Sequence, residues 1–548
     1  MSVTALFDIA RSAIMASRTA LEVTSNNIAN VNTPDYSRQD AILEISSPQM
    51  TGVGEIGRGV DVTDIKRQYD QFLETQLSNE NSNMGKTSVL SDIYSKLEDS
   101  FNEQTGNGLS SSINGLFNAW QGLSTNPGDS AQRNLVLTNS QEFIDKSKEI
   151  EKSLTDLNAS VDKEVPSVVD NINKLADTIA QLNDQISTTE SGSTHQANAL
   201  RDQRTGALKS LATLVQFNSY EDESGRVNVI VGQRNLVSGK IVHPMQMSKT
   251  SDNKDIIMVD SVDITSNING GQLGGLLTLK NSDQSGIPYA LSNLRRTVGS
   301  ITNEINIIQS SGYGLNQSTT GQDLFNSYPP TVTNVNSTTV TDVSATIIDR
   351  TALTYKDYEI RFTDSSTYTI YDVNTQTSAS ATLSGNVLNV DGINVTFSGA
   401  PQAGDVFKLS PTALAITDSG VAITDIEQLA AASAPPGLPG DNKNALKVVE
   451  LAQLQHPANS AMKDSTFSNF YASFVDAIGG LSKDATDSNT YETNMYNQLS
   501  QQRDSVSAVS LDEESMNLIR YQKGYEAAAK LVTTTNDMLD TLLALVRS

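Results

Sequence analysis

The sequence contains no cysteine, and its 548 residues include only three histidines, one tryptophan and 5% aromatic residues. Without cysteine, disulfides, thiolate nucleophiles and cysteine-bound zinc or iron–sulfur centres are excluded. A zinc centre built from three histidines would have to use His195, His243 and His456 together. The small number of aromatic residues argues against one large core, because aromatic side chains normally supply much of the buried area. The composition thus disfavours most classes of enzyme, and we predict no catalytic residue, no metal and no cofactor.

Positive charge is also scarce, since 38 Lys and Arg residues stand against 63 Asp and Glu residues, a formal charge of −25. Nucleic acids and anionic membrane surfaces both attract basic proteins, so we expect neither as a partner. No apolar run reaches the ~20 residues needed to span a bilayer. Asp8, Arg11 and Arg18 interrupt any apolar stretch of the kind found in cleaved signal peptides. These signals predict a cytosolic protein, unless export uses a route that does not recognise such a peptide.

Both ends of the chain have the heptad spacing of helices that pack along one side. The apolar heptad positions are Phe7, Ile14, Leu21 and Ile28 at the amino end, and Leu518, Tyr525, Val532, Leu539, Leu542 and Val546 at the carboxyl end. The first helix should end before Pro34, because proline keeps the preceding residue extended. Most amphipathic helices cover the core of their own protein, but helices at the extreme ends have little else to cover. We predict that the two terminal helices pair with each other or with neighbouring subunits.

The chain between these ends has the pattern of a helical body. Residues 36–66 are glycine-rich, and their apolar residues form short, partly alternating runs, which predicts extended chain or a hairpin. Residues 68–213 are mainly helical, and a long apolar seam over 150–186 shifts its spacing near Pro166. A further helix should begin near Pro288 and end at Gly312.

A change of composition between about Thr331 and Pro411 predicts a β-rich insertion, since Thr, Ser, Val and Tyr dominate and apolar residues alternate. Asp391-Gly392 between two such runs predicts a two-residue hairpin. We therefore predict a multidomain α+β fold, in which terminal coiled-coil helices bracket a mainly helical body with a small inserted β domain. The predicted boundaries are 1–66 plus 500–548 for the terminal helical domain, 67–327 plus 418–499 for the body, and 328–417 for the insertion.

Three isolated features have at most weak functional interpretations. The segment Gly52-Val53-Gly54-Glu55-Ile56-Gly57 matches G-x-G-x-x-G, but a phosphate site needs a helix N-terminus after these glycines, and alternating residues follow here. Trp120 lies among apolar residues at helical spacing, which favours a packing role. A pair of carboxylates for glycoside hydrolysis stays open among 63 acidic residues, although no pair stands out.

The stretch from Ser25 to Gln39 resembles the amino-terminal signature of bacterial flagellar rod, hook and hook-associated proteins, most closely in its hook-associated form. The residues that carry the resemblance are Asn26, Asn27, Ile28, Asn30, Asn32, Pro34, Tyr36 and Arg38. Asp35 stands where hook-associated members more often have glycine. Residues 507–514 and 518–530 are similar to the carboxyl-terminal signature, and 271–277 and 404–407 also resemble this family. The resemblance spans the whole chain and is weakest across the β insertion.

The resemblance implies a non-enzymatic structural adaptor that joins the flagellar hook to the filament by helical self-assembly through its terminal helices. The implied partners are copies of the chain, the hook protein, the second hook-associated (junction) protein, an export chaperone at the carboxyl-terminal helix, and the flagellar type III export apparatus. The implied location is the extracellular flagellum, reached by export without a cleaved signal peptide. Two alternatives stay open: another axial component such as a hook-type protein, and a secreted adhesin or glycan-active protein that acts through its β domain.

Overall fold

The computed structural model describes residues 3–547 except 52–53, 102, 104–105, 107, 193–194, 317–321, 374 and 376, and it leaves out the side chains of residues 4, 49, 51 and 545–547. The α-helices within these residues are α1 (Val3–Ala29), α2 (Gln71–Phe101), α3 (Leu109–Thr125), α4 (Ser130–Glu190), α5 (Asn198–Leu214), α6 (Gly271–Asn281), α7 (Ile287–Ser311), α8 (Lys443–Leu451), α9 (Phe467–Ser507) and α10 (Leu511–Arg547). None of these described helices combines the length and the apolar character that crossing a bilayer requires.

The strands of the same described residues form small antiparallel sheets. They are β1 (Gln39–Ile45), β2 (Gln49–Thr51), β3 (Gly54–Ile56), β4 (Val60–Arg67), β5 (Asn218–Glu221), β6 (Val227–Val231), β7 (Arg234–Ser238), β8 (Ile241–Val242), β9 (Gln246–Lys249), β10 (Asp255–Val259), β11 (Val262–Asp263), β12 (Thr331–Asn334), β13 (Val343–Ile347), β14 (Tyr358–Phe362), β15 (Thr367–Asp372), β16 (Ser378–Thr382), β17 (Val387–Val390), β18 (Ile393–Phe397) and β19 (Val406–Ser410). The strand orders are β1-β4, β2-β3, β5-β6-β7-β8, β9-β10-β11, β12-β19-β14-β15-β16 and β13-β18-β17.

The two ends of the chain come together in one helical unit. Helix α1 stops at Ala29, a few residues before Pro34, as its sequence predicts. Strands β1 and β4 then form an antiparallel ladder that packs on α1, which confirms the extended structure predicted for residues 36–66. The part of the glycine motif that the structure describes lies in this hairpin, with Gly54 opening β3, and no helix begins there; Gly52 and Val53 lie outside the described residues.

The body is built around long helices whose apolar seams are buried. Asp129 caps α4, since its carboxylate accepts a hydrogen bond from the Ala131 backbone N–H at 2.8 Å. This helix continues for 61 residues and carries Pro166 within it. Helices α2 and α9 run antiparallel beside each other, because Phe101 at the end of α2 packs against Phe474 near the start of α9. Trp120 is fully buried, in the packing role that its spacing favours.

The β insertion has its own apolar interior and is also tied to the body. Asp391 and Gly392 adopt φ values of +47° and +76° between β17 and β18, which is the hairpin predicted from these two residues. The ties to the body begin at Arg296, which is buried on α7. Its Nε donates to Tyr355 O at 2.8 Å, and its guanidinium pairs with Asp357 at 3.0 Å. The insertion is therefore held in a defined orientation by a buried cation.

Candidate assembly site

The turn that follows α1 is held by Asn27, one of the signature residues. Its side-chain Nδ2 donates to Gln39 O at 2.8 Å, and its Oδ1 accepts from Gln39 N at 3.0 Å. The same Oδ1 accepts a hydrogen bond from the Tyr36 hydroxyl at 2.8 Å. A side-chain amide has both the donor and the acceptor that these bonds require. Buried Asn27 thus fixes the first residue of β1 against the last turn of α1.

Two further asparagines close the end of α1. Asn30 Nδ2 donates to Asn26 O at 2.9 Å, and Asn26 Nδ2 donates to the Tyr36 hydroxyl at 3.1 Å. Asp35 then adopts a φ of +58°, in the left-handed region that aspartate tolerates better than most residues. Its carboxylate accepts from Lys209 Nζ of α5 at 3.0 Å. The chain reversal after α1 is therefore anchored to the body at Asp35, where the backbone adopts a positive φ.

Asp202 of α5 connects the same turn to the body a second time. One carboxylate oxygen accepts from the Ser37 backbone N–H at 3.2 Å, and the other accepts from the Arg67 guanidinium at 2.9 Å. Both charged side chains of this pair are only 8% exposed. Asn198, one turn earlier on α5, donates its Nδ2 to Ile65 O at 2.7 Å. Helix α5 therefore holds both strands at the base of the hairpin.

Arg38 connects the turn to the carboxyl-terminal part of the chain. Its backbone N–H donates to Ser507 O at 2.8 Å, where α9 ends, and its guanidinium pairs with Glu513 of α10 at 2.7 Å. Glu514, the next residue, is buried close to Tyr36. Burial and the negative charges of Asp202 and Glu514 raise the pKa of Tyr36 to about 12. The Tyr36 hydroxyl consequently stays protonated and remains a hydrogen-bond donor.

We call this cluster of residues 26–39 with Asp202, Ser507 and Glu513 the joint. The structure brings most of the signature residues into it, with Ile28 half-buried and Asn32 and Pro34 exposed at its surface. Its hydrogen bonds lie within one subunit, so the joint orients the terminal helices relative to the body. Among the described residues, no group of three histidine, cysteine or carboxylate side chains is placed to hold a metal ion.

Helices α1 and α10 pack on each other through small residues. They run antiparallel, since Arg38 lies beside the start of α10 while Ser17 lies beside Gly524. A Cβ at Gly524 would lie 3.2 Å from Ser17 Oγ, so the two backbones approach closely there. Ala10 and Thr24, one heptad to either side of Ser17, are buried, as are Ala528 and Thr535 along α10. Close approach of small residues leaves no room for large side chains between the helices.

The large residues of the predicted terminal seam are not fully buried by this contact. Those that remain exposed are Phe7, Tyr525, Leu539 and Leu542. Those that are half-buried are Ile14, Leu21, Leu518 and Val532. Val546 belongs to α10, but its side chain lies outside the described residues. The two terminal helices therefore pair with each other and still present an apolar surface to the outside.

The chain is 30% identical to the flagellar hook-associated protein 1 of Salmonella typhimurium, in an alignment that covers 98% of this chain and 99% of that protein. The chain belongs to the flagellar hook-associated protein 1 family. It is 29% identical to the hook-associated protein 1 of Escherichia coli and 27% identical to that of Bacillus subtilis, each over 98% of this chain. This membership makes it a structural adaptor of the flagellum at the hook–filament junction.

Family models match separate parts of the chain in agreement with this assignment. Residues 94–325 match the flagellar hook-associated protein FlgK helical domain, and 332–411 match the D2-like domain of flagellar hook-associated protein 1. The ends match more general axial models, the basal body rod protein over 7–36 and the basal body rod FlgEFG C-terminal model over 500–545. The β insertion itself thus has a counterpart in hook-associated protein 1.

The predicted multidomain α+β fold is confirmed by a solved relative. The flagellar hook junction protein FlgK of Burkholderia pseudomallei superposes with a TM-score of 0.68 at 20% sequence identity, over 79% of this chain and 100% of that one. At this level of identity the superposition establishes a common fold.

Proposed function

We propose that the chain performs its adaptor role by assembling with copies of itself into a helical tube through apolar side chains that α1 and α10 leave exposed. The observation that carries this proposal is a set of large apolar side chains that the helix pair leaves exposed. We call this set the outer face, and its members are Phe7, Met15, Leu511, Met516, Ile519, Tyr525, Leu531, Met538, Leu539, Leu542 and Leu543. Soluble monomers rarely leave so many large apolar side chains of one helix exposed unless these side chains bind a partner.

Contact through the outer face fits the geometry of a tube. A head-to-tail contact that does not close on itself generates a helical array. Burial of one leucine contributes about 1.5–3 kcal/mol, and every subunit of the array would repeat this gain. The joint supports the proposal, because hydrogen bonds within each subunit would present the outer face at the same angle in every copy.

We infer further partners because the chain lies between two different polymers, the hook and the filament. At one end of the tube the chain would contact the hook protein, and at the other end the second hook-associated protein. Before assembly the exposed apolar side chains of α10 have no neighbouring subunit to bind. This supports the proposal that an export chaperone binds this helix. We further infer that the chain has no enzymatic activity, and that it is secreted through the flagellar type III apparatus to reach the extracellular flagellum.

A matched pair of substitutions tests the outer face. Leu539 on α10 and Leu446 on α8 are both 38% exposed, but only Leu539 belongs to the outer face. In a strain without its own copy of the gene, Leu539→Asp should be secreted and should leave few filaments attached, because an unpaired carboxylate buried at each contact costs several kcal/mol. Leu446→Asp should restore filaments to the wild-type number. Equal filament counts for the two variants would contradict the proposal.

A further inference from the structure

Residues 456–465, between α8 and α9, form a loop that reaches from the body to the β insertion. The two ends of the loop are joined, since the His456 N–H donates to Ser465 O at 3.1 Å. At the far end of the loop, the Ala461 N–H donates to Thr354 O of the insertion at 2.8 Å. We call this loop the latch, because its backbone connects the body to the insertion.

The backbone of the latch is strained at its far end. Lys463 and Asp464 adopt φ values of +42° and +58°, in the left-handed region that non-glycine residues rarely occupy. Such a backbone persists only where the surrounding contacts hold it. One of these contacts is made by Met462, which is buried with its sulfur 4.0 Å from Ser300 Oγ of α7. The closed latch therefore depends on the side chains that it buries.

The second side chain that holds the latch is His456, which is buried in its neutral form. Only 5% of this residue is exposed, and its ring centroid lies 4.5 Å from that of Phe467, the first residue of α9. Its Nε2 has no hydrogen-bond partner among the described residues. Burial therefore lowers the pKa of His456 from the ordinary 6.5. The other two histidines, His195 and His243, instead lie beside carboxylates at 3.5 and 2.9 Å.

The elements around His456 provide no buried anion for a protonated ring. Helix α3, whose Phe117 stacks on Phe467 at 6.2 Å, contains no ionisable residue. On α9 the nearest titratable residue along the chain is Tyr471, whose hydroxyl donates to Glu103 at 2.7 Å. The charged residues of α8 and of the latch itself are all exposed, and they are Lys443, Lys447, Glu450, Lys463 and Asp464. A proton on His456 would thus place an unpaired charge in an apolar site, which is costly.

We propose that the latch is an acid-sensitive connection, in which protonation of His456 removes its ring from Phe467, opens the latch and breaks the Ala461–Thr354 hydrogen bond. The open latch binds a proton more readily than the closed one. The contribution of His456 to closure is therefore complete above about pH 6.5 and is lost as the pH falls below this value. The insertion remains attached through Arg296. This inference concerns a single subunit and does not depend on the proposed self-assembly.

Hydrogen exchange at the Ala461 amide, corrected for intrinsic rates, tests the inference on the purified chain. Between pH 7 and pH 5 we expect its protection to fall about tenfold, since a group with an unperturbed pKa of 6.5 can favour the open form by up to about 30-fold at pH 5. His456→Phe keeps an aromatic ring beside Phe467 and cannot accept a proton, so its protection should be equal at both pH values. The control His243→Gln removes an exposed histidine and should retain the wild-type pH dependence.

The wild-type protein provides a second measurement that remains available if His456→Phe does not fold. Because the chain has three histidines, labelling with ¹³C at histidine Cε1 gives three signals, which His195→Gln and His243→Gln assign. The His456 signal should titrate with a midpoint below pH 6.5, and protection at Ala461 should decrease with the same midpoint. A midpoint at or above pH 6.5, protection that does not follow it, or an unchanged pH dependence in His456→Phe would each overturn the inference.

Discussion

Ser37 and Asp202, 165 residues apart in the chain, are joined by a hydrogen bond of 3.2 Å from the Ser37 backbone N–H to the Asp202 carboxylate. The second oxygen of this carboxylate binds the guanidinium of Arg67 at 2.9 Å. One buried side chain thereby holds both the segment that leads from α1 into β1 and the last residue of β4. The orientation of the outer face relative to the body depends on this connection.

Replacement of Asp202 should open the joint without unfolding the body. Asp202→Ala leaves the buried Arg67 cation without its partner, a change that typically costs about 3–5 kcal/mol. Asp202→Asn keeps an acceptor for the Ser37 backbone N–H, so its loss of stability should be about half that of Asp202→Ala. The measurement is hydrogen exchange of the Arg38 amide, which donates to Ser507 O and not to Asp202.

A surface ion pair provides the control for this experiment. Asp92 pairs with Lys96 on the exposed side of α2, and exposed pairs contribute about 0–1 kcal/mol. Asp92→Ala should therefore leave the exchange of the Arg38 amide unchanged. An Asp202→Ala protein with the same protection at Arg38 as wild type would show that Asp202 does not hold the joint.

Two substitutions of Asp35 distinguish the effect of backbone strain on stability from the effect of the Asp35–Lys209 ion pair. Its φ of +58° favours glycine, whereas its carboxylate binds Lys209 at 3.0 Å. Asp35→Gly loses the ion pair and relieves the strain, so we expect stability within about 0.5 kcal/mol of wild type. Asp35→Ala loses the ion pair and keeps the strain, and it should be about 1 kcal/mol less stable than Asp35→Gly. Denaturant midpoints of the two variants decide this, and an alanine variant as stable as the glycine variant would refute it.

The local features of this fold were predictable, and the long-range ones were not. Pro34 and Asp391-Gly392 act through the backbone of their immediate neighbours, so the end of α1 and the β17–β18 hairpin follow from the sequence alone. Asp202 gives no such signal, because its partners are brought to it only by the folded chain. The same applies to Arg296, whose bond to Tyr355 orients the β insertion.

The terminal helices show what the heptad periodicity of the sequence predicts and what it does not. Heptad spacing correctly predicts two helices with apolar seams at the ends of the chain. It does not tell which side of each helix faces the other, because this depends on how closely the backbones approach. With Gly524 beside Ser17 the approach is close, and small residues such as Ala528 are buried in the pair, whereas Leu539 near the end of α10 is 38% exposed.

Two carboxylates make the contact between α2 and α9 sensitive to pH. Burial and a hydrogen bond with Glu492 raise the pKa of Glu80 from the ordinary 4.5 to about 7. The folded protein therefore holds a proton that the unfolded chain has already released between these values. The stabilising contribution is complete below about pH 4.5 and is lost as the pH rises through 7.

Glu80→Gln should remove this pH dependence, because an amide is a permanent donor to Glu492. We expect the variant to be more stable than wild type by about 1 kcal/mol at pH 8, a value reduced by the partial solvent exposure of the pair, and equal to it at pH 4.5. Hydrogen exchange of residues 486–500, corrected for intrinsic rates, reports the contact directly. Wild-type protection that is the same at both pH values would contradict the shared proton.

In the proposed assembly, the outer face of the terminal helices is open in the monomer and buried in the hook–filament junction. Thiol labelling of Leu543→Cys measures this directly, since the chain has no other cysteine and Leu543 is 58% exposed. We predict rapid maleimide labelling of Leu543→Cys in the purified monomer and at least tenfold slower labelling in isolated hook–filament junctions. Leu446→Cys should be labelled equally fast in both. Equally rapid labelling of Leu543→Cys in the junction would show that the outer face is not the assembly surface.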